Sequence, residues 1–315
     1  MRPAFSVIFL TTLCGAAQGL LLTLVAAEAA SRAFGMAVPS AFYVSGSALA
    51  VALGALGLAA SFFHLGHPER AWRAIAMWRT SWLSRECIAL PVFLSLATAY
   101  GVAHWAGIGA TLEIGALAAA ASVALFVCTA MIYACLRFLQ EWASPYTLAN
   151  FVLLGCASGC TLATACAAWL APALVGRLAV CACLLTLAGC ATRLASLARN
   201  ARLRPRSTVQ SATGIRNEKV EQKSRGFTAS AFNTREFFHG QSGATLRVVK
   251  IGFTIGAFAV PFVLTGVGAL APRSVAAAVA LAAAFVIQYV GLLAERWFFF
   301  ADAQHPQNLY YQRTS

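Results

Sequence analysis

The 315-residue chain is 60% hydrophobic and only 10% charged, against roughly 25% charged in an ordinary soluble domain. Repeated uncharged runs of about 20 residues or more argue against a soluble fold with a very large apolar core and for a polytopic membrane protein. A net charge of +13 would suit neutralisation of nucleic-acid phosphates. The basic residues, however, lie in the connections between apolar runs, where Lys and Arg record membrane topology.

The first apolar run, Phe5 to Ala30, has no clear small-residue cleavage site and is followed by further spans, so it is expected to be retained as a helix. Span 2 covers about Phe42 to Phe63 and span 3 about Cys87 to Trp105. Between them lies HLGHPERAWRAIAMWRTSWLSRE, from His64 to Glu86, which concentrates the charged and aromatic residues of this part of the chain. Gly66 and Pro68 are expected to stop span 2 just after His64, Gly66 through a left-handed cap. Ser84 is expected to cap span 3, which would place Glu86 in its first turn, where the helix dipole favours a carboxylate. The intervening ERAWRAIAMWRT, with Trp72 and Trp78 among Arg70, Arg73 and Arg79, suits a short helix lying in the headgroup layer.

An imidazole and a carboxylate at headgroup depth would fit an amphiphilic ligand, with a quinone as the redox candidate. Quinone reduction takes up two protons, and His exchanges protons near neutral pH. The same residues equally allow a structural reading, in which His64 caps a helix, Glu86 pairs with Arg85 or Arg70, and the tryptophans are belt residues.

Spans 4, 5 and 6 run about Leu112 to Cys135, Tyr146 to Leu170 and Leu174 to Ser196. Residues 199–247 form the one large extramembrane segment, basic throughout yet carrying Phe227, Phe232, Phe237 and Phe238 around Arg235. Exposed aromatics beside arginines are typical interface anchors, so docking of a cytoplasmic partner is expected there, the alternative being a loop folded over its own helices. Spans 7 and 8 run about Val248 to Leu270 and Ser274 to Phe300, and a tail of residues 301–315 follows. Trp297 and the phenylalanines after it would form an aromatic belt or extend the docking surface.

Each of the eight spans can cross a hydrocarbon core of about 30 Å as a helix that satisfies its own backbone. The predicted fold is therefore all-α, a bundle of eight transmembrane helices. Small residues such as Gly54, Gly57 and Gly115 to Ala121 would allow close helix contact. Twenty of the 23 Lys and Arg residues fall on the side of the termini, and only Arg32, Arg177 and Arg273 on the other. That asymmetry places both termini, the 64–86 loop and the long loop in the cytoplasm.

Several chemistries are disfavoured. Glu28, His104 and Glu113 fall near the outer ends of their spans, Gln18 and Gln288 could bridge helices, and Pro261, though mid-helix, is weak evidence of a broken helix, so translocation through the core has little support. No two of the five histidines lie within the spans at compatible depth for a bis-histidine haem. The ten cysteines lack the spacing of an iron-sulfur or zinc site and are expected to be packing residues.

HLGHPERAW, the WLSRE that follows it and, more weakly, ERWFFF at the end of span 8 resemble the anchor subunit family of dimethyl sulfoxide reductases. That resemblance implies an eight-helix subunit with no haem, iron-sulfur cluster or molybdenum of its own. It would anchor a molybdopterin catalytic subunit and an iron-sulfur subunit and exchange electrons with ubiquinone or menaquinone. The family's quinone-site histidine matches His64 and its acidic residue matches Glu86, while Arg70 and Trp78 are added by proximity. Two features depart from the sulfoxide reductases: the charge count turns the motif inward, and the long loop with GFTASAFNTREFFHG precedes a tail reading HPQNLYYQ. Both are similar to a second branch, the membrane subunits of cytoplasmic sulfite-oxidising enzymes, which implies electron flow from sulfite to quinone. A quinol-oxidising sulfoxide reductase anchor and a purely structural anchor are the alternatives.

Overall fold

In lipid every backbone N–H and C=O needs a partner within the protein, so an apolar run of this length closes into a helix. The computed structural model describes residues 1–204, 206–221, 237–270 and 274–310, and its long elements are all α-helical. Eight of its helical segments are long and apolar enough to cross a membrane, as expected of a multi-pass membrane protein. They are α1 (Phe5–Ala33), α2 (Ser40–Ser61, prolonged by a 3-10 turn Phe62–His64), α3 (Trp82–Ala106), α4 (Thr111–Ala134), α5 (Pro145–Leu170) and α6 (Val175–Asn200). A short α7 (Val209–Thr213) precedes span 7, made of α8 (Gly243–Thr254), a π-helical turn Ile255–Ala259 and α9 (Val260–Leu270). Span 8 is α10 (Val275–Asp302), and a single turn, α11 (Gln307–Tyr310), follows.

Polar caps fix several of the helix starts. Ser81, not Ser84, caps α3, its hydroxyl accepting from Ser84 N at 3.4 Å. The helix therefore starts at Trp82, and Glu86 lies past the first turn rather than within it. Gly66 does not adopt the expected left-handed conformation; the helix instead tightens through Phe62–His64 into an extended Leu65 ahead of Pro68. Ser144 with Pro145 starts α5, Ser274 starts α10, and Gly107 at φ 67° closes α3.

The most enclosed spans are α5 and α1, which cross through Gly15, Gly19, Gly155 and Gly159. A Cβ added to Gly19 would collide with Gly155 O, and one added to Gly159 would collide with Leu20 N. The two backbones are thus in direct contact, the arrangement that small-xxx-small spacing permits. The small residues singled out from the sequence act similarly: Gly54 receives Leu94 of α3, Gly57 receives Cys14 of α1, and Gly115 receives Tyr100.

Span 7 shows how the chain tolerates Pro261. Proline has no N–H and its ring crowds the carbonyl of residue i−4, here Ala257. The π-helical turn just before it relieves the crowding. Ala257 O accepts instead from Gln288 Nε2 at 3.4 Å, and the same nitrogen reaches Thr186 Oγ1 at 3.2 Å. Gln288 therefore bridges spans 6, 7 and 8 as expected. Gln18 does not bridge among the described residues: its amide donates to Cys14 O of its own helix, and its carbonyl oxygen meets no hydrogen-bond partner there.

At the face carrying the termini, the Met1 amino group donates to Ala303 O at 2.7 Å and Trp142 Nε1 to Phe299 O at 3.0 Å. Arg199 Nη2 donates to Gln140 O at 3.0 Å, and Asn200 Nδ2 to Asp302 Oδ2 at 3.2 Å.

Gly159→Ala should push α1 away from α5 and cost about 1–3 kcal/mol, the usual range for overpacking. In detergent its thermal unfolding midpoint should fall by several degrees. Gly176→Ala, at a position with nothing within 4 Å of the added carbon, should melt like the parent protein.

Candidate functional site at the 64–86 loop

The stop of α2 and the start of α3 set the geometry of this loop. Pro68 opens a 3-10 segment, Pro68–Ile75, which continues as turns to the Ser81 cap. The short helix predicted for this stretch takes 3-10 form. Trp72, Ile75, Met77 and Trp78 are exposed along it, and Arg73 and Arg79 sit over Trp72 and Trp78 at 5.4 and 5.5 Å. Arg85 fastens the far end, donating to Trp78 O at 2.9 Å and Arg79 O at 2.8 Å while lying 4.2 Å over Trp82.

His64 is exposed, flanked by exposed Phe62, Phe63 and Leu65, and makes no hydrogen bond or ion pair with any described residue. His67 and Arg70 instead share Glu69, at 3.0 and 3.6 Å. Glu86 is buried and turns the other way, its Oε1 accepting from Thr129 of α4. Cys14 of α1 and Tyr133 of α4 lie within its electrostatic reach. It pairs with neither Arg85 nor Arg70, the partners a structural reading gave it. His64 and Glu86 therefore sit at consecutive helix ends, one facing outward from the loop and one facing the bundle, with no hydrogen bond between them.

Phe227, Phe232 and Arg235 lie outside the described residues. Phe237 stacks on His305 of the tail, with ring centres 3.8 Å apart, and its carbonyl accepts from Asn308 Nδ2 at 2.6 Å. Burial there holds the His305 imidazole below its ordinary pKa, as it does for His239. Phe238 is half-buried, and Trp297 packs against two apolar clusters between the helices. At Phe237 and Trp297 the described chain is thus folded onto itself.

Two polar clusters have no counterpart among the expectations from sequence. At the face opposite the termini, Glu28 is almost fully buried. It accepts from Arg32 at 2.6 Å, Tyr100 at 2.8 Å and Thr111, and lies 3.1 Å from His104 Nε2. Nearer the terminal face, Arg193 of α6 and Glu295 of α10 form an ion pair at 2.7 Å, each side chain 2% exposed. Arg296, also buried, lies 3.7 Å over the Phe151 ring and 3.9 Å from Glu295 Oε2. Both arginines enter the charge asymmetry as surface residues, and neither is one. Arg193 stands seven residues inside the end of α6, roughly 10 Å along the helix. An arginine or a glutamate inside an apolar run was the available signal, since such residues face the bundle interior and pair there.

The chain matches the family described as DMSO reductase anchor subunit (DmsC) over residues 1–301. It is also 52% identical to the C-subunit of the sulfite dehydrogenase of Allochromatium vinosum, with 99% of each chain covered.

Glu295→Gln should leave two buried guanidinium groups without a counter-charge and destabilise the protein by roughly 3–5 kcal/mol, the cost of breaking a buried pair from one side. Thermal unfolding of the purified protein reads this as a large fall in midpoint. Arg193→Met combined with Glu295→Leu, which removes both charges of the pair, should recover part of the loss.

Proposed function

Because the chain belongs to the DMSO reductase anchor subunit family, we propose that it is the membrane anchor and quinone-reactive subunit of a three-subunit molybdopterin oxidoreductase. Its partners in this reading are a molybdopterin catalytic subunit and an iron-sulfur subunit. Electrons from sulfite oxidised in the cytoplasm pass through the iron-sulfur subunit into the quinone pool. The observation that carries the choice of sulfite is the 52% identity, over almost the whole length, to a subunit of a sulfite dehydrogenase. The charge asymmetry supports the orientation, with both termini and the 64–86 loop on the cytoplasmic side of the bacterial inner membrane.

Within this reading His64 donates a hydrogen bond to a quinone carbonyl and passes it a proton, for which an imidazole with no partner among the described residues is suited. The exposed rings of Phe62, Phe63, Trp72 and Trp78 offer an apolar surface beside it for an amphiphile. Arg70, paired with Glu69 at the surface, and Trp78 line the approach. Glu86, held by Thr129 behind the loop, serves proton supply rather than contact with the quinone. The remaining aromatic and basic residues of the long loop, Phe227, Phe232, Arg235 and Phe238, contribute to the docking face for the iron-sulfur subunit.

Membranes containing the assembled complex should reduce a short-chain quinone analogue on addition of sulfite. His64→Ala should lower that rate about 100-fold, the scale of a lost general acid, with the catalytic subunits still bound to the membrane and still oxidising sulfite with an artificial acceptor. A wild-type quinone rate in His64→Ala would remove His64 from the reaction. Release of the catalytic subunits would assign the loop to docking instead.

A further inference from the structure

The 64–86 loop carries a pattern that contact with a quinone does not use. Along His67 to Thr80 its backbone bonds step by three residues, from Arg70 N to His67 O, Ala76 N to Arg73 O, Trp78 N to Ile75 O and Thr80 N to Met77 O, at 3.0, 3.1, 3.3 and 3.0 Å. A helical path with three residues per turn stacks every third side chain into one ridge. Ala71 and Ala74, both half-buried, make the ridge turned inward. Trp72, Ile75 and Trp78 make an apolar ridge, exposed at 67%, 45% and 52%. Arg70, Arg73 and Arg79 make a basic ridge beside it, also exposed.

The basic ridge is short of counter-charge. Glu69 is the one exposed carboxylate of the stretch, and His67 and Arg70 share it. The side chains of Arg73 and Arg79 make no hydrogen bond or ion pair with a described residue and lie over Trp72 and Trp78 instead. Arg85 gives its guanidinium to two backbone carbonyls, which bear no net charge. Guanidinium groups so placed call for phosphate oxygens, which their planar fork binds in pairs. The apolar ridge points to the source of that phosphate. It runs at both ends into apolar side chains that the spanning helices expose, Phe62 and Phe63 at the end of α2 and Leu83 and Ile88 of α3. An apolar ridge that joins the outer wall of a membrane bundle, with a basic ridge alongside, is the composition of a segment lying in the plane of a bilayer surface.

We propose that residues 68–80 lie flat on the bilayer and that Arg73 and Arg79 bind the phosphate groups of anionic phospholipids, with Trp72, Ile75 and Trp78 sunk among the upper acyl carbons. The lipid holds the segment between α2 and α3 at one level, an anchorage that applies whether or not His64 meets a quinone.

Hydrogen exchange of peptides covering residues 68–80 tests this in the purified full-length protein, held in bilayer discs. Discs containing phosphatidylglycerol should slow exchange there about tenfold relative to phosphatidylcholine alone, since each basic side chain at an anionic surface adds about fivefold in affinity. High salt should shrink the difference. Arg73→Gln combined with Arg79→Gln, at two exposed positions, should keep the parent's thermal midpoint and exchange alike in both lipids. Lysine at both positions keeps the charge and should retain most of the slowing. Equal exchange of the parent in the two lipids would overturn the proposal. Protection that appears only when partner subunits are bound would give the basic ridge to a protein and overturn it too. Inorganic phosphate producing the same slowing in phosphatidylcholine discs would overturn the lipid source.

Discussion

Direct backbone contact between α1 and α5 is the constraint on which the remaining helices depend. Apolar side chains gain little from leaving lipid for one another, so spans associate through close packing and satisfied polar groups. Glycines four apart on both helices bring main chain against main chain, and a single added methyl at Gly19 or Gly159 has no room. The other spans gather around this pair. Span 2 meets α1 through Gly57, span 3 packs against span 2 through Gly54, and span 4 reaches Tyr100 of α3 through Gly115. On the far side of the seam, α6 and α10 are held by the Gln288 amide and by the Arg193–Glu295 pair.

The polar groups inside the bundle sort by depth. Gln288 answers a carbonyl displaced by Pro261, which is a local repair of backbone hydrogen bonding. Arg193, Glu295 and Arg296 form a net positive group caged by Phe151, Phe253, Phe298 and Phe299. Ring faces offer partial compensation for a guanidinium where oxygen acceptors are few. Glu28 has the reverse character, a carboxylate surrounded by donors at the opposite face. The loop that bears His64 differs from all three, since its imidazole has no hydrogen-bond or ion-pair partner among the described residues.

Eight spans were legible in the sequence because the length of an apolar run is itself the signal. Their ends were less so: α3 begins five residues before the predicted Cys87 because Ser81 and Ser84 compete as caps, and only the three-dimensional start of the helix decides between them. The α1–α5 seam was written as Gly15-x-x-x-Gly19 and Gly155-x-x-x-Gly159, but small residues are so common in these spans that spacing alone did not single it out. Arg193 and the Glu295–Arg296 dipeptide lay inside predicted spans, and their burial could have been read from that. That Arg193 meets Glu295 across about 100 residues of chain could not, since nothing in either helix specifies its partner. At the candidate site, the positions of His64 and Glu86 at neighbouring helix ends followed from Pro68 and the apolar run. The turning of Glu86 toward Thr129 followed only from the packing of α3 on α4.

The Arg193–Glu295 pair also bears on how the protein is made. Synthesis proceeds from the N-terminus, so α6 enters the bilayer while α10 is still unmade. Until span 8 arrives, Arg193 has no carboxylate beside it, and a guanidinium in that position draws water or headgroups inward. Insertion of the last helix neutralises it and, through Met1 and Ala303, joins the two ends of the bundle in the same event. A chain that lacks α10 therefore carries Arg193 in its interior without the Glu295 carboxylate.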